Sequence, residues 1–323
     1  MDDRCGSVGD VFLDAASSYA AHNPHVYTCG NHEASGALKP YTEYTQRLAF
    51  PQMAIANASG GSSRWFLFAV GPVSYIVLDP DAWIYPLVYP LLDAQYAWLV
   101  GAMKTIDRRA TPWVVFLVHR AAYCTKSTDA ECNSEAESLR NGQLGLRAPL
   151  EPLLAQYGVD FYFSGHTHHY ERTWPVVRGA APRRDYAEPR GTVHVQSGIA
   201  GTGPGDEFVV PQAAWEAFRD TAYWPTYGRL TFFNDTHALY EQLCVAPRPR
   251  PRPVASSRCA IFLTPGLAPP RATTPSAPPK VSMTTGLFLT ASFSSTRSQT
   301  TGHPFRPRRE RVGGNLPPPP HVR

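Results

Sequence analysis

The sequence predicts an α/β fold, a layered sandwich of mixed sheets flanked by helices. Two segments, 113–119 (WVVFLVH) and 159–165 (VDFYFSG), have the composition of strands that are apolar on both faces. Each follows a segment with helical periodicity, 92–106 in the first case and 148–157 in the second. Strands of this kind lie in a sheet that helices cover on both sides, because both faces must be removed from water.

The remaining elements follow from local patterns along the chain. Residues 10–21 predict a helix, and 25–29 (HVYTC) predict a short buried strand. Segments 65–70 and 73–79 are rich in β-formers and are joined by a Gly-Pro pair, which predicts a hairpin or adjacent strands. A closing set of mainly antiparallel strands is predicted at 192–198, 228–233 and 238–243.

The C-terminal segment 246–323 differs from the rest in charge and composition. It holds twelve of the 30 Lys and Arg residues and one acid, which leaves 18 basic and 25 acidic residues, a net charge near −7, in residues 1–245. It also holds half of the 32 prolines, and proline can neither donate to a β-ladder nor continue a helix. We therefore predict a folded domain over 1–245 and a Pro/Arg-rich, disordered tail over 246–323.

The tail also bears on binding partners. Its PRPRPRP run (247–253) favours polyproline II and offers a docking site for a proline-binding module. Arginines spaced by proline, without interleaved aromatic residues, are typical of solvated linkers, so no nucleic-acid partner is expected. The sequence does not determine an oligomeric state.

Four residues indicate the cellular compartment. Cys124 and Cys132 flank a short polar loop and are the candidate disulfide, with two free thiols as the alternative. Asn57 and Asn234 begin N-glycosylation sequons. These features favour an oxidising compartment, although the chain begins without the apolar stretch of a signal peptide. No apolar run reaches the length of a membrane span, and none is predicted.

Metal-binding side chains follow three of the predicted strands. Asn31 and His32 come after the first strand, His119 ends a second, and His166 and His168 follow a third. Nitrogen and oxygen donors of this kind bind zinc, iron and manganese. A single histidine at a strand end is more often a hydrogen-bonded core residue, and it is the shared position after apolar strands that favours a metal site.

These donors lie in three motifs, GNHE (30–33), VFLVHRAAYC (115–124) and GHTHHYERTWP (165–175). In order and spacing the motifs resemble three successive motifs of the purple acid phosphatases, which are calcineurin-like metallophosphoesterases. Segment 71–79 resembles a sheet strand of that family, and 188–245 resembles its C-terminal segment. The resemblance implies the metallophosphoesterase fold.

The resemblance also implies a role for each donor. Asn31, His119 and His166 would bind the divalent ion of a binuclear centre, and His168 would bind its ferric ion. His32 would not bind the metals directly; it would either donate a hydrogen bond to the phosphoryl oxygens or act as the general acid toward the leaving alkoxide. The implied metals are iron together with zinc, manganese or a second iron.

The family's first two metal-binding loops, which supply two aspartates and a tyrosine, have no counterpart in this chain. Gly9-Asp10 is rejected as a substitute, because it precedes a helix with no strand before it. The expected fold therefore lacks its first βαβ unit, and the ferric site is incomplete.

We expect a metal-dependent acid phosphatase that hydrolyses phosphomonoesters through a binuclear metal centre and metal-bound hydroxide. Phosphodiesterase or nucleotidase activity on the same fold is a related alternative. An alternative of a different class is a catalytically impaired remnant or binding protein, because the two aspartate loops are absent. The resemblance further implies a secreted protein or one in the endomembrane or lysosomal lumen.

Overall fold

A computed structural model of the chain describes residues 7–34, 41–48, 50–85, 89–125, 131–200, 212–220, 225–244, 259–263, 281–285 and 289–293. The α-helices in these ranges are α1 Ser7–Ala20, α2 Asn31–Ala34, α3 Phe50–Ala58, α4 Tyr89–Thr105, α5 Ala136–Asn141 and α6 Leu150–Gln156. A 3₁₀ turn covers Pro80–Trp83, and π-helical turns cover Tyr44–Leu48 and Glu131–Glu135. None of the helices in the described ranges is long and apolar enough to cross a membrane.

The strands belong to two sheets. In chain order they are β1 His25–Val26, β2 Phe66–Val70, β3 Val73–Leu78, β4 Trp113–Val118, β5 Phe161–Ser164, β6 Tyr170–Thr173, β7 Val193–Ser197, β8 Glu216–Asp220, β9 Thr226–Phe232, β10 Ala238–Cys244, β11 Cys259–Leu263, β12 Val281–Thr285 and β13 Leu289–Phe293. The first sheet has seven strands in the order β2-β3-β4-β5-β7-β6-β8, and the second has six in the order β1-β13-β12-β9-β10-β11.

The seven-stranded sheet is mixed, as the sequence predicts. Its centre, β3-β4-β5-β7, is parallel, while β2 at one edge and β6 and β8 at the other pair antiparallel. The predicted hairpin is the β2–β3 pair, which is antiparallel from Phe66 opposite Val77 to Val70 opposite Val73. Parallel pairing places the carboxyl ends of β4 and β5 at the same edge of this sheet.

Both faces of the central strands are buried, and each face packs on a different layer. In β4, Trp113 and Val115 belong to one apolar cluster and Val114 and Phe116 to another. The first cluster includes residues of the second sheet, such as Tyr240, and the second includes residues of helices α4 and α6. The molecule is therefore a layered sandwich with helices against one face, which confirms the predicted fold class.

Two parts of the six-stranded sheet differ from expectation. The predicted strand 25–29 is shortened to His25–Val26, because the backbone N–H of Tyr27 donates to the side chain of Gln52 rather than to a neighbouring strand. Strands β11, β12 and β13 lie in the segment predicted to be a disordered tail, where short runs of β-forming residues extend the β9–β10 pair. The rest of that segment, including 247–253, lies outside the described residues, so its disorder and the boundary at 245 remain predictions.

His194 is a buried histidine in the middle of β7. Its ring packs between Tyr123 and Tyr162, with ring centroids 4.8 Å and 4.9 Å away. Burial lowers the pKa of His194 to about 3, and the positive charge of Arg140 acts in the same direction. The folded protein therefore holds a neutral imidazole at a position where the unfolded chain would bind a proton below about pH 6.5.

We predict that His194 makes the fold sensitive to acid. Because its pKa is depressed in the folded state, its contribution is complete above about pH 6.5 and is lost as the pH falls toward 3. Between about pH 7 and pH 4.5 the free energy of unfolding should fall less in His194→Phe than in the wild type, by about 2 kcal/mol. Urea denaturation at the two pH values measures this difference. His237→Gln is the control, because His237 is exposed. An equal acid loss in His194→Phe and the wild type would contradict the prediction.

Candidate metal centre

The ends of β4 and β5 bring two of the predicted metal-binding histidines together. His119 follows β4, and Gly165 and His166 follow β5. The backbone N–H groups of Gly165 and His166 both donate to the carbonyl oxygen of His119, each over 2.9 Å. The two loops are thus joined through their backbones before any side chain is considered.

Three side-chain donors converge at this point. Nε2 of His119 lies 2.9 Å from Oδ1 of Asn31, the first residue of α2, and 2.9 Å from Nδ1 of His166. The two imidazole rings meet edge to face with their centroids 4.8 Å apart. Residues that are 88 and 47 positions apart in the chain therefore point polar atoms at one small volume.

The protonation of these groups suits a cation. A carboxamide oxygen only accepts, and a neutral imidazole carries one proton on one of its two nitrogens. Burial lowers the pKa of His119 well below its usual value, and the charges of His166 and Arg120 lower it further. His119 is therefore neutral at physiological pH, which is the form of histidine that binds metals.

His32 and His168 are close in the chain to the candidate ligands Asn31 and His166. Both side chains are exposed, whereas His119 is half-buried. The charges of His32 and His168 also contribute to lowering the pKa of His119, so both lie within electrostatic reach of it. Among the described residues, however, no group of three or more His, Cys, Asp and Glu side chains is arranged to hold a metal ion.

Two glycines allow the close approach of these loops. A Cβ on Gly30 would lie 2.6 Å to 2.7 Å from atoms of the His119 ring. A Cβ on Gly198 would lie 1.9 Å from the carbonyl oxygen of Thr167, in the loop that carries the other two histidines. A side chain at either position would displace one of the loops that carry the donors.

Arg120 is a site residue that the sequence reading missed. Its side chain is 3 % exposed, and its Nε donates to Oδ1 of Asp81 over 2.6 Å. Nη1 pairs with the Glu135 carboxylate and lies 3.0 Å from Nε2 of His166. The signal in the sequence was a charged residue directly after an apolar strand, but nothing local identified its partners.

The structure shows where the candidate disulfide and the two glycosylation sequons lie. Cys124 and Cys132 are joined by a disulfide, with Cα atoms 5.1 Å apart, at the start of the π-helical turn that carries Glu135. Asn57 and Asn234 are both exposed. Asn57 lies in helix α3, whereas Asn234 lies in the β9–β10 turn, where its Oδ1 accepts from the backbone of the next residues.

Comparison with protein families identifies the class of this chain. A family model described as calcineurin-like phosphoesterase matches residues 3–170. A second model, described as iron/zinc purple acid phosphatase-like protein C, matches residues 191–244. The chain belongs to the calcineurin-like phosphoesterase family and, within it, to the purple acid phosphatases.

Curated proteins with similar sequences bear matching names. Acid phosphatase type 7 from Danio rerio is 32% identical over 252 residues, which are 74% of this chain and 54% of that protein. Acid phosphatase type 7 from Mus musculus is 29% identical over 75% of this chain and 55% of its own length. Purple acid phosphatase 18 from Arabidopsis thaliana is 29% identical over 72% of this chain and 48% of its own length. The chain spans about half the length of these relatives.

We predict that Gly30→Ala weakens cation binding. The added Cβ displaces the His119 ring, so the affinity for Zn²⁺ should fall at least about tenfold, as measured by isothermal titration calorimetry. Gly101→Ala in helix α4 is the matched control, because its Cβ would meet nothing within 4 Å. That change should leave Zn²⁺ affinity unaltered and raise stability by about 0.5–1 kcal/mol. A folded Gly30→Ala protein with wild-type Zn²⁺ affinity would show that the His119 ring is not part of the site.

Proposed function

We propose that this chain is the catalytic part of a metal-dependent acid phosphatase that hydrolyses small phosphomonoesters. The observation that carries the proposal is the convergence of Asn31, His119 and His166 at the carboxyl ends of neighbouring strands, in a chain of the purple acid phosphatase family. Ligand sites of α/β sheets lie at such ends.

The donor set fits one divalent ion better than two. Asn31, His119 and His166 supply one oxygen and two nitrogens, a set suited to zinc, manganese or iron. His168 lies near them, but no carboxylate among the described residues completes a second site. We therefore propose Asn31, His119 and His166 as ligands of one ion. His168 would be a ligand of the second ion of a binuclear centre, and the described residues alone do not complete that second site.

The chemistry divides between the bound metal and the chain. When bound, the metal polarises the phosphoryl group and neutralises part of its charge. We propose His32 as the group that donates a proton to the leaving alkoxide oxygen, because it is exposed and lies next to Asn31 in the chain. Asn31, His119 and the loop after β5 fix the place at which the phosphoryl group is held.

A second candidate is a binding protein without catalytic activity. It is favoured by a specific observation, since the described residues contain no cluster of three or more His, Cys, Asp and Glu side chains arranged around a metal. The proline- and arginine-rich segment 247–253 would then serve as a docking site for a proline-binding partner.

We further propose that the protein is secreted or resides in the endomembrane or lysosomal lumen and is a glycoprotein. The Cys124–Cys132 disulfide and the exposed sequon residues Asn57 and Asn234 support this proposal. Asn234 is the better acceptor of the two, because it lies in an exposed turn rather than in a helix.

Hydrolysis of p-nitrophenyl phosphate by the metal-loaded chain tests the proposed activity. We expect metal-dependent hydrolysis with its maximum between about pH 4 and pH 7, and a loss of at least about 100-fold in kcat/KM for His119→Gln. His237→Gln, in the exposed turn between β9 and β10, should retain wild-type activity. Bis-p-nitrophenyl phosphate, a diester, is the comparison substrate and should be hydrolysed more slowly.

Two outcomes would contradict this proposal. Metal loading with no hydrolysis of either substrate would favour the binding protein. Hydrolysis that survives His119→Gln would place the active site elsewhere. Circular dichroism of each variant separates a loss of the site from a loss of the fold.

A further inference from the structure

Two loops carry the histidines of the candidate site, and each loop leaves the end of a parallel strand. The first follows β4 and runs from His119 to Thr125, and the second follows β5 and runs from Gly165 to His169. At their near ends the loops are joined, because the carbonyl oxygen of His119 accepts from the backbone N–H groups of Gly165 and His166. This contact fixes the start of each loop but not its far end.

Glu171 of β6 joins the far ends of the same two loops. Its Oε2 lies 2.9 Å from Nε2 of His169 and accepts from the backbone N–H of Thr125 over 3.1 Å. Glu171 and His169 are both 1 % exposed, so water does not compete for these contacts. A single oxygen atom therefore links the last residue of one loop to the last residue of the other.

The far end of the first loop is also held by the neighbour of Glu171 in the sheet. Arg219 lies opposite Glu171 in the pairing of β6 with β8, and its Nη1 donates to Oγ1 of Thr125 over 3.0 Å. Glu171 thus holds the backbone of Thr125, and Arg219 holds its side chain. The preceding residue, Cys124, is joined to Cys132 by the disulfide. The first loop therefore ends at a residue with little freedom to move.

The second loop has separate contacts with β7 and the residues that follow it. Nε2 of Gln196 donates to the carbonyl oxygen of Thr167 over 2.5 Å, and the backbone N–H of Gly198 donates to the carbonyl oxygen of His169 over 3.1 Å. These bonds attach the second loop to the sheet. The contact with Glu171 differs from them, because it attaches the second loop to the first.

We infer that Glu171 is a positioning residue of the candidate metal centre, which joins the far ends of the loops carrying His119 and His166. With the carbonyl contact of His119 at the near ends, it links the two loops on both sides of the donors. Without Glu171 each loop would remain attached to the sheet, but the far ends would no longer be linked directly. Donors that are less firmly placed bind a cation more weakly. The inference rests on the proposed metal site.

Hydrogen exchange in the cation-free chain tests this link without a metal. In Glu171→Leu the amides of Gly165 and His166 should exchange at least about tenfold faster than in the wild type, because their bonds to His119 open more often. The amide of Phe116 in the middle of β4 should keep its wild-type rate. Unchanged exchange at Gly165 and His166 would overturn the inference. An equal acceleration at Phe116 would overturn it too, since that shows only a general loss of stability.

Two substitutions of Glu171 should differ in their effect on Zn²⁺ affinity. Glu171→Leu should bind Zn²⁺ at least about tenfold more weakly than the wild type, measured by isothermal titration calorimetry. Glu171→Gln should stay within about threefold of the wild type, because one oxygen makes both contacts and an amide oxygen can replace it. Wild-type affinity in a folded Glu171→Leu protein would overturn the inference, as would equal losses in the two variants.

Glu241→Leu is the matched control. Glu241 is also a buried strand glutamate with an arginine opposite it, Arg229, but it lies in the six-stranded sheet. Its loss should lower stability and leave Zn²⁺ affinity unaltered, and an equal loss of affinity there would overturn the inference. If Glu171→Leu does not fold, His169→Phe removes one of the two contacts and takes its place in both measurements. If Zn²⁺ does not bind the wild-type chain, the proposed function fails, while the exchange rates still decide the inference.

Discussion

The parallel pairing of β4 with β5 is the constraint on which the candidate site depends. It brings the end of each strand to the same sheet edge, where the carbonyl oxygen of His119 accepts from both Gly165 and His166. The apolar clusters on both faces of these strands hold the register, because a slip of one residue would exchange the residues of the two faces. The position of His119 and His166 is therefore a consequence of core packing.

Burial around this edge also sets the charge state of the site. His119 is kept neutral mainly by its burial, and Arg120 is kept in place by the carboxylates of Asp81 and Glu135. Neutral donors leave the charge of a bound cation unbalanced, so a carboxylate near the site favours its binding. Asp81 is a buried carboxylate beside this arginine, and the ion pair between them fixes the Arg120 side chain next to His166.

Much of the fold could be predicted from the sequence, and the reasons are local. The apolar strands β4 and β5 and the β2–β3 hairpin have patterns that depend on a few neighbouring residues, and the structure contains all of them. The short strand β1 was overestimated, because the Gln52 side chain that satisfies the Tyr27 backbone comes from a distant helix. Strands β11 to β13 were not predicted, since proline and arginine content concealed short β-forming runs.

The site was predictable only in part, because local sequence patterns do not reveal contacts between residues that are far apart in the chain. Asn31, His119 and His166 follow strands and belong to recognisable motifs, so their convergence could be expected. Asp81 and Arg120 are 39 residues apart, and only the folded chain shows that they meet behind His166.

X-ray absorption spectroscopy at the zinc edge of the Zn²⁺-loaded chain tests the central claim most directly. The account predicts a first shell of nitrogen and oxygen only, with the outer-shell scattering of two imidazoles, from His119 and His166. A sulfur neighbour would contradict it, because that would place the ion at a cysteine thiol, such as the buried Cys29, instead. A spectrum without imidazole scattering would contradict it as well.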